Sequence, residues 1–208
     1  MNNMKKIDNI GWFLRIALVF YVFMLFGTTL NAQEYTPREY KGDLYTVLYS
    51  EDYQQPLRVT YKVLCGQGDV SRAGMDFWKP DGWNTSDNND YKNNVWDKGH
   101  MAPAANFNCY DKETLKETFN YLNCALQHES LNRGPWKELE RFERNLSKVF
   151  ETVTVQIIVI FDYEERGQDG ALIPSGFEKT IWAGKNKWRF VFPNKDVKGV
   201  DFGDFREE

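Results

Sequence analysis

The sequence predicts an α+β domain over residues 33–208. Three observations carry that expectation. Several short runs are rich in β-branched and aromatic residues. Two segments carry helical signals, an N-cap with a short helix near residue 111 and an amphipathic period beginning at Pro135. Strand and helix do not alternate in the way a parallel βαβ sheet requires.

The elements follow in order. Residues 33–43 are polar and read as a lead-in. Tyr45–Tyr49 and Leu57–Leu64 read as strands, the second partly alternating. Lys79 to Asn94 holds Pro80, Asp81, Gly82, Asn84, Ser86, Asp87, Asn88, Asn89 and Asn93, a long loop rich in turn residues. Ordered loops of that length in compact domains are often functional. Asp111 to Asn120 predicts a short helix with Asp111 as its N-cap. Tyr121 to Ala125 reads as a short strand. A clearer helix starts at Pro135, a residue suited to the first helical position. Trp136, Leu139, Phe142, Leu146, Val149 and Phe150 then recur three or four apart and predict one apolar face. Val153–Phe161 predicts a central strand, and Phe177–Trp182 and Lys187–Phe192 predict two more.

The first 32 residues read differently. Lys5, Lys6 and Arg15 precede an apolar run from Ile16 to Phe26, and Gly27–Ala32 is small and polar apart from Leu30. That is the pattern of a secretory signal peptide. The run falls short of the roughly 20 apolar residues a membrane span needs. Export to the periplasm or the exterior is the expectation. The alternative is an anchor over residues 10–30 with Arg15 snorkelling to the interface.

The net charge is −4. Loss of the leader removes three cations and one anion (Asp8), leaving −6. An acidic total argues against a tight, salt-resistant hold on nucleic acid but allows a local basic groove. Cys65, Cys109 and Cys124 form no CxxC pair, which argues against a zinc site. In an exported protein any one of three disulfides could close, and buried free thiols are equally consistent. No internal repeat or low-complexity tract stands out.

The chemistry concentrates at Asp97-Lys98-Gly99-His100-Met101-Ala102-Pro103-Ala104-Ala105-Asn106-Phe107. His100 is one of two histidines, and the other, His128, is given no catalytic role. A second block runs Asn123-Cys124-Ala125-Leu126-Gln127, then Leu131-Asn132-Arg133-Gly134-Pro135-Trp136, then Leu139-Glu140 and Arg144. With Val70-Ser71-Arg72 upstream and Ile173–Lys179 downstream, these blocks resemble the DNA/RNA non-specific endonuclease family. That family is a group of the His-Me finger nucleases. Its hallmark is Asp-Arg-Gly-His followed by Leu or Met, Ala and often Pro-Ala-Ala. The spacings from Asn123 to Asn132, Glu140 and Arg144 agree with its second block. Lys98 departs from the usual arginine, and Leu126 stands where the family has proline.

The resemblance implies a ββα-metal fold whose central, mainly antiparallel sheet is flanked by helices. It implies a metal-dependent endonuclease that hydrolyses phosphodiester bonds in DNA and RNA with little sequence or sugar specificity. The cofactor would be Mg²⁺, with Mn²⁺ or another divalent cation as alternatives. DNA and RNA would be the partners, and a homodimer is allowed.

The physics of the residues agrees. A histidine can accept a proton from water near neutral pH, so His100 is the candidate general base, its other ring nitrogen fixed by an acceptor such as a backbone carbonyl. Mg²⁺ keeps most of its water shell, so the single amide oxygen of Asn132 suffices as a protein ligand. Read alone, Asn132 would be an ordinary turn residue. Glu140 and Arg144 share a helix face. Alone they are a surface ion pair, whereas the resemblance places Glu140 beside the metal's water shell and Arg144 on phosphate. Arg72 would clamp the scissile phosphate and Lys98 would help position it, without the bidentate fork of arginine. Asp97 is expected to be a structural acceptor, and Asn123 and Gln127 are expected to order the site by hydrogen bonds. Two other classes compete: a nucleic-acid-binding protein with weakened chemistry on the same fold, and an exported interaction protein.

Overall fold

Strands that alternate apolar and polar residues can bury one face only, and the main sheet is built that way. The computed structural model describes residues 36–65 and 68–207. The expected leader over residues 1–32 lies outside them. Seven strands form one antiparallel sheet: β1 (Arg38–Lys41), β2 (Tyr45–Ser50), β3 (Gln55–Lys62), β6 (Val153–Ile160), β7 (Gly176–Ala183), β8 (Asn186–Pro193) and β9 (Arg206–Glu207), in that spatial order. Two further strands, β4 (Trp96–His100) and β5 (Cys124–His128), form a separate antiparallel ribbon. In β6 the odd positions Val153, Val155, Ile157 and Val159 are buried while Ile158 is exposed, so one side chain in two joins the core.

Helices cover the buried face. The first, α1 (Lys112–Lys116), begins at Asp111, whose carboxylate accepts from the Glu113 and Thr114 amides as an N-cap should. A single turn, α2 (Glu129–Leu131), leads through a wide, irregular turn into α3 (Lys137–Leu146). Trp136 and Leu139 are fully buried, and the Trp136 ring meets Phe177 and Phe192 of the sheet at 5.5 and 5.6 Å. Burying each such side chain contributes about 1.5–3 kcal/mol.

The fold is the expected α+β arrangement, with differences in detail. Residues 38–41, expected in a lead-in, form β1 because the β2 edge supplies their partners. The segment carrying Asp97 to His100 is a strand although Asp, Lys and Gly are poor strand formers. Its pairing partners lie 24 residues away at His100–Cys124 and 32 at Trp96–His128, beyond the reach of local patterning. The strand expected over 121–125 starts at Cys124, because Asn120 caps a 3-10 turn over Tyr121–Asn123. The helix expected from Pro135 does follow a break at Gly134 (φ −105°, ψ −115°): Trp136 is already helical, and the regular α-helical run is Lys137–Leu146. Val149, expected on its apolar face, lies past its end and is 78% exposed.

The long polar loop is ordered by one buried carboxylate. Asp90 completes a capping box with Asp87 and accepts from the Asp169 and Ala171 amides. Of the three cysteines, Cys65 and Cys109 form a disulfide with Cα atoms 5.7 Å apart, and Cys124 is a buried free thiol. The disulfide joins the end of β3 to the segment following His100.

Candidate active site

The ribbon presents His100, and the turn after it is held by one side chain. Asn123 accepts from the Ala102 amide and donates to the Ala102 and Thr118 carbonyls, at 2.7, 2.8 and 2.9 Å. The Met101 amide donates to the Asn123 carbonyl as well. The chain therefore leaves β4 at His100 in one direction only. Gly99 allows the two strands to close, since a Cβ there would lie 2.5 Å from Gln127 Oε1 and 2.6 Å from Gln127 Cβ.

His100 sits between two rings, Phe77 at 4.6 Å and Phe119 at 4.8 Å. Its Nε2 is enclosed without a hydrogen-bond partner among the described residues, so the acceptor expected there is not found. Burial pushes its pKa down to about 3, and the Arg72 guanidinium pushes the same way. The ring is thus neutral and its lone pair available throughout the physiological range.

A cleft of about 300 Å³ opens beside it, lined by Arg72, His100, Ala105, Asn132, Arg133, Lys137, Glu140 and Arg144 among others. Loop, ribbon, wide turn and helix α3 each contribute. Four cations face one carboxylate, so a chain that is acidic overall carries a locally basic site. Glu140 is raised to about 7, chiefly by burial and further by Glu143, against the lowering effects of Lys179, Arg144 and Arg72.

Asn132 is oriented by Asp97. Its Nδ2 donates to Asp97 Oδ2 at 2.9 Å, and Arg133 donates to the same carboxylate through Nε and a terminal nitrogen at 2.9 and 2.6 Å. A carboxylate can only accept, so the amide must give Asp97 its nitrogen and keep its oxygen free. A free amide oxygen and a carboxyl in one cleft are hard donors suited to Mg²⁺, which needs few protein ligands. Among the described residues no cluster of three or more His, Cys, Asp or Glu side chains could hold a metal. The fit is therefore to an ion that retains its water shell.

The structure brings Arg72, His100, Asn132, Glu140 and Arg144 into one cleft, with Asp97 and Asn123 directly behind it. Two expected residues lie otherwise. Lys98 is not among the cleft's lining residues: its ammonium pairs with Asp76 at 2.9 Å and lies 5.7 Å from the centres of the Phe77 and Tyr121 rings. The side chain of Gln127, expected to order the site by hydrogen bonds, makes none among the described residues. It packs over Gly99, and both amide atoms are enclosed without partners. His128 caps α2, its Nδ1 3.0 Å from the Ser130 hydroxyl.

Sequence reasoning missed Arg133 and Lys137 in the cleft, and a buried network beneath it. Glu143 accepts from Tyr61, Asn106 and Lys179 at 2.8, 2.7 and 2.9 Å, and Arg144 donates to Asn106 Oδ1 at 2.9 Å. Two signals were present. Glu143 falls within the Leu139–Phe142–Leu146 stripe, and Lys179 alternates with the core residues Phe177 and Ile181.

A larger cavity of about 680 Å³, between the β1–β2 turn and α1, shares none of its lining residues with this cleft.

A family model for DNA/RNA non-specific endonucleases matches residues 26–208. Mitochondrial endonuclease G of Bos taurus is 28% identical over 151 residues, 63% of this chain and 50% of that protein. The mitochondrial nuclease EXOG of Mus musculus is 31% identical over 130 residues, 53% of this chain and 35% of that one. A salivary endonuclease of Lutzomyia longipalpis is 27% identical over 110 residues, covering 48% and 26%. The chain thus spans half or less of the length of these relatives. A crystal structure of an EndoG/EndoGI complex, described in terms of EndoG inhibition, matches with a TM-score of 0.72 at 23% identity, over 82% of this chain and 80% of that chain. That likeness is one of fold.

Proposed function

The chain belongs to the DNA/RNA non-specific endonuclease family, and we propose that its cleft hydrolyses phosphodiester bonds in DNA and RNA with a divalent metal, Mg²⁺ first. One observation carries the reading: a neutral histidine shares a small basic cleft with Arg72, Arg144, Asn132 and Glu140. Arg72 and Arg144 bind the non-bridging oxygens of the phosphate and orient it. His100 takes the proton of the attacking water, the P–O bond opposite breaks, and the leaving oxygen departs with the negative charge. Asn132 would hold the cation with Glu140 on its water shell, and when bound the cation would supply positive charge where the leaving oxygen becomes negative. Asp97 keeps the Asn132 oxygen turned outward, and Asn123 keeps His100 at the cleft.

The lining cations suit the sugar–phosphate backbone, which supports low sequence and sugar preference. The overall negative charge supports weak, salt-sensitive binding. For export, the support is the pattern of residues 1–32, with cleavage leaving a domain over 33–208 in the periplasm or medium. Among the described residues no helix is long and apolar enough to cross a membrane.

The test is incubation of the purified chain with supercoiled plasmid and with structured RNA, in Mg²⁺ and in EDTA. Nicking and linearisation of plasmid and breakdown of RNA in Mg²⁺ alone are expected. A folded chain that binds both but cleaves neither in Mg²⁺ or Mn²⁺ would leave it a binding protein on this scaffold.

A further inference from the structure

We propose that Glu143 is a positioning residue for Arg144, acting through the Asn106 amide, and that the buried Glu143–Lys179 pair serves to hold that amide in one orientation. The inference rests on the phosphate-binding role given to Arg144 above.

Glu143 and Arg144 are adjacent on α3 and so point in different directions. Glu143 points into the core, where its side chain and that of Lys179 have no exposed surface. Arg144 points into the cleft. Asn106 bridges them. Its Nδ2 donates to Glu143 Oε2 at 2.7 Å, and its Oδ1 accepts from an Arg144 terminal nitrogen at 2.9 Å. A carboxylate only accepts and a guanidinium only donates, so a single orientation of the amide satisfies both. The other Glu143 oxygen is occupied by Lys179 at 2.9 Å, and Tyr61 donates to Oε2 at 2.8 Å. The Lys179 ammonium also lies 3.8 Å from the centre of the Trp136 ring.

Stability alone is a weak reason for such a pair. Burying two charges costs several kcal/mol per ion, and apolar replacements of similar volume are often neutral or stabilising. What an apolar pair lacks is a fixed acceptor for Asn106. The same device recurs at Asp97, whose carboxylate fixes the Asn132 amide. Each carboxylate sets the direction of one amide, and each amide then presents an oxygen.

Glu143→Gln inverts the relay with almost no change in shape. Lys179 claims the new amide oxygen, the NH₂ faces Asn106, and the Asn106 amide turns over. Arg144 then meets a donor. Asn106→Leu removes the bridge while leaving the Glu143–Lys179 pair intact, so it serves if Glu143→Gln folds poorly. The experiment combines each change with Arg144→Ala in a double-mutant cycle. Affinity for a short duplex is measured in EDTA by fluorescence anisotropy, cleavage in Mg²⁺ by kcat/KM, and guanidinium mobility of Arg144 by side-chain ¹⁵N NMR without nucleic acid. Each single change is expected to weaken duplex binding about tenfold, the scale of a lost charge-assisted hydrogen bond. In the Arg144→Ala background it should add less than about twofold, since sites acting through one another are not additive. Arg144 should become mobile while Arg189, paired with Glu178, does not change. Full multiplicative losses in both backgrounds, or an Arg144 as rigid in both variants as in the parent, overturn the proposal. A parent chain that fails to cleave counts against the nuclease reading instead, and the NMR comparison still decides the positioning.

Discussion

Gly99→Ala tests how the ribbon that carries His100 is closed. The added methyl would lie 2.5 Å from Gln127 Oε1, 2.6 Å from Gln127 Cβ and 3.2 Å from the Ala125 carbonyl oxygen. Ordinary contact to carbon is about 3.5–4 Å. The amide end of Gln127 could swing aside, but its Cβ is fixed to the strand, so β4 and β5 must separate by roughly 1 Å. Overpacking of this kind costs about 1–3 kcal/mol. For a domain of this size each kcal/mol moves Tm by about 2–4 °C, so a fall of about 2–12 °C is expected. Misplacing a catalytic group by 1 Å can cost about a hundredfold in rate, so cleavage should fall further than stability alone explains. The assay is thermal melting with cleavage rates well below Tm, for Gly99→Ala alone and with Gln127→Ala or Gln127→Gly. Gln127→Ala keeps the Cβ and should not rescue, whereas Gln127→Gly should recover part of the rate. A Tm within 1 °C of the parent, or full rescue by Gln127→Ala, refutes the argument.

His100→Ala should lower turnover at least about a hundredfold with the fold intact, checked by single-turnover rates and melting. Because the folded pKa of His100 lies near 3, below its ordinary 6.5, the unfolded chain takes up the proton first as pH falls. The stability tied to a neutral His100 is complete above about 6.5 and is lost toward 3. Glu140, raised to about 7, acts in the opposite sense, favouring the folded state as pH falls from about 7 to its ordinary 4.5. The observable is therefore the parent-minus-His100→Ala difference in Tm, which should shrink between pH 7.5 and 4.5; a constant difference contradicts the burial. Asn132→Ala should shift the midpoint of a metal titration more than it shifts duplex affinity in EDTA, and an unmoved midpoint removes Asn132 as the ligand. Lys98→Arg should preserve or raise the rate, and Lys98→Ala should lower it by no more than about tenfold, with the loss fading as salt rises, because the ammonium is paired with an exposed Asp76. A hundredfold loss that persists in salt would place Lys98 on the phosphate.

The five longer strands of the main sheet, β2, β3, β6, β7 and β8, were legible because a strand with a buried face writes its environment into its sequence, whereas the short edge strands β1 and β9 were not. Val153 to Ile160 and Gly176 to Ala183 needed no partner to be recognised. β4 was not legible as a strand, because Asp97, Lys98 and Gly99 serve the site and not the pleat, and only β5 makes them extended. For the site, motif spacing picked out His100, Asn132, Glu140 and Arg144, since the last three lie along a single stretch of chain. Hydrogen bonding and charge pairing are a different matter. Nothing local marks Asp97 as the acceptor of Asn132, Asp76 as the partner of Lys98, or Gln127 as a packing residue over Gly99. Local pattern and motif spacing are enough to reveal the fold class, His100 and the helix that faces it. Tertiary structure decided the Cys65–Cys109 disulfide, the neutrality of His100, and the buried carboxylate beneath Arg144. Those depend on residues far apart in the chain meeting in a medium of low dielectric, where a single missing partner or a nearby charge outweighs any local preference.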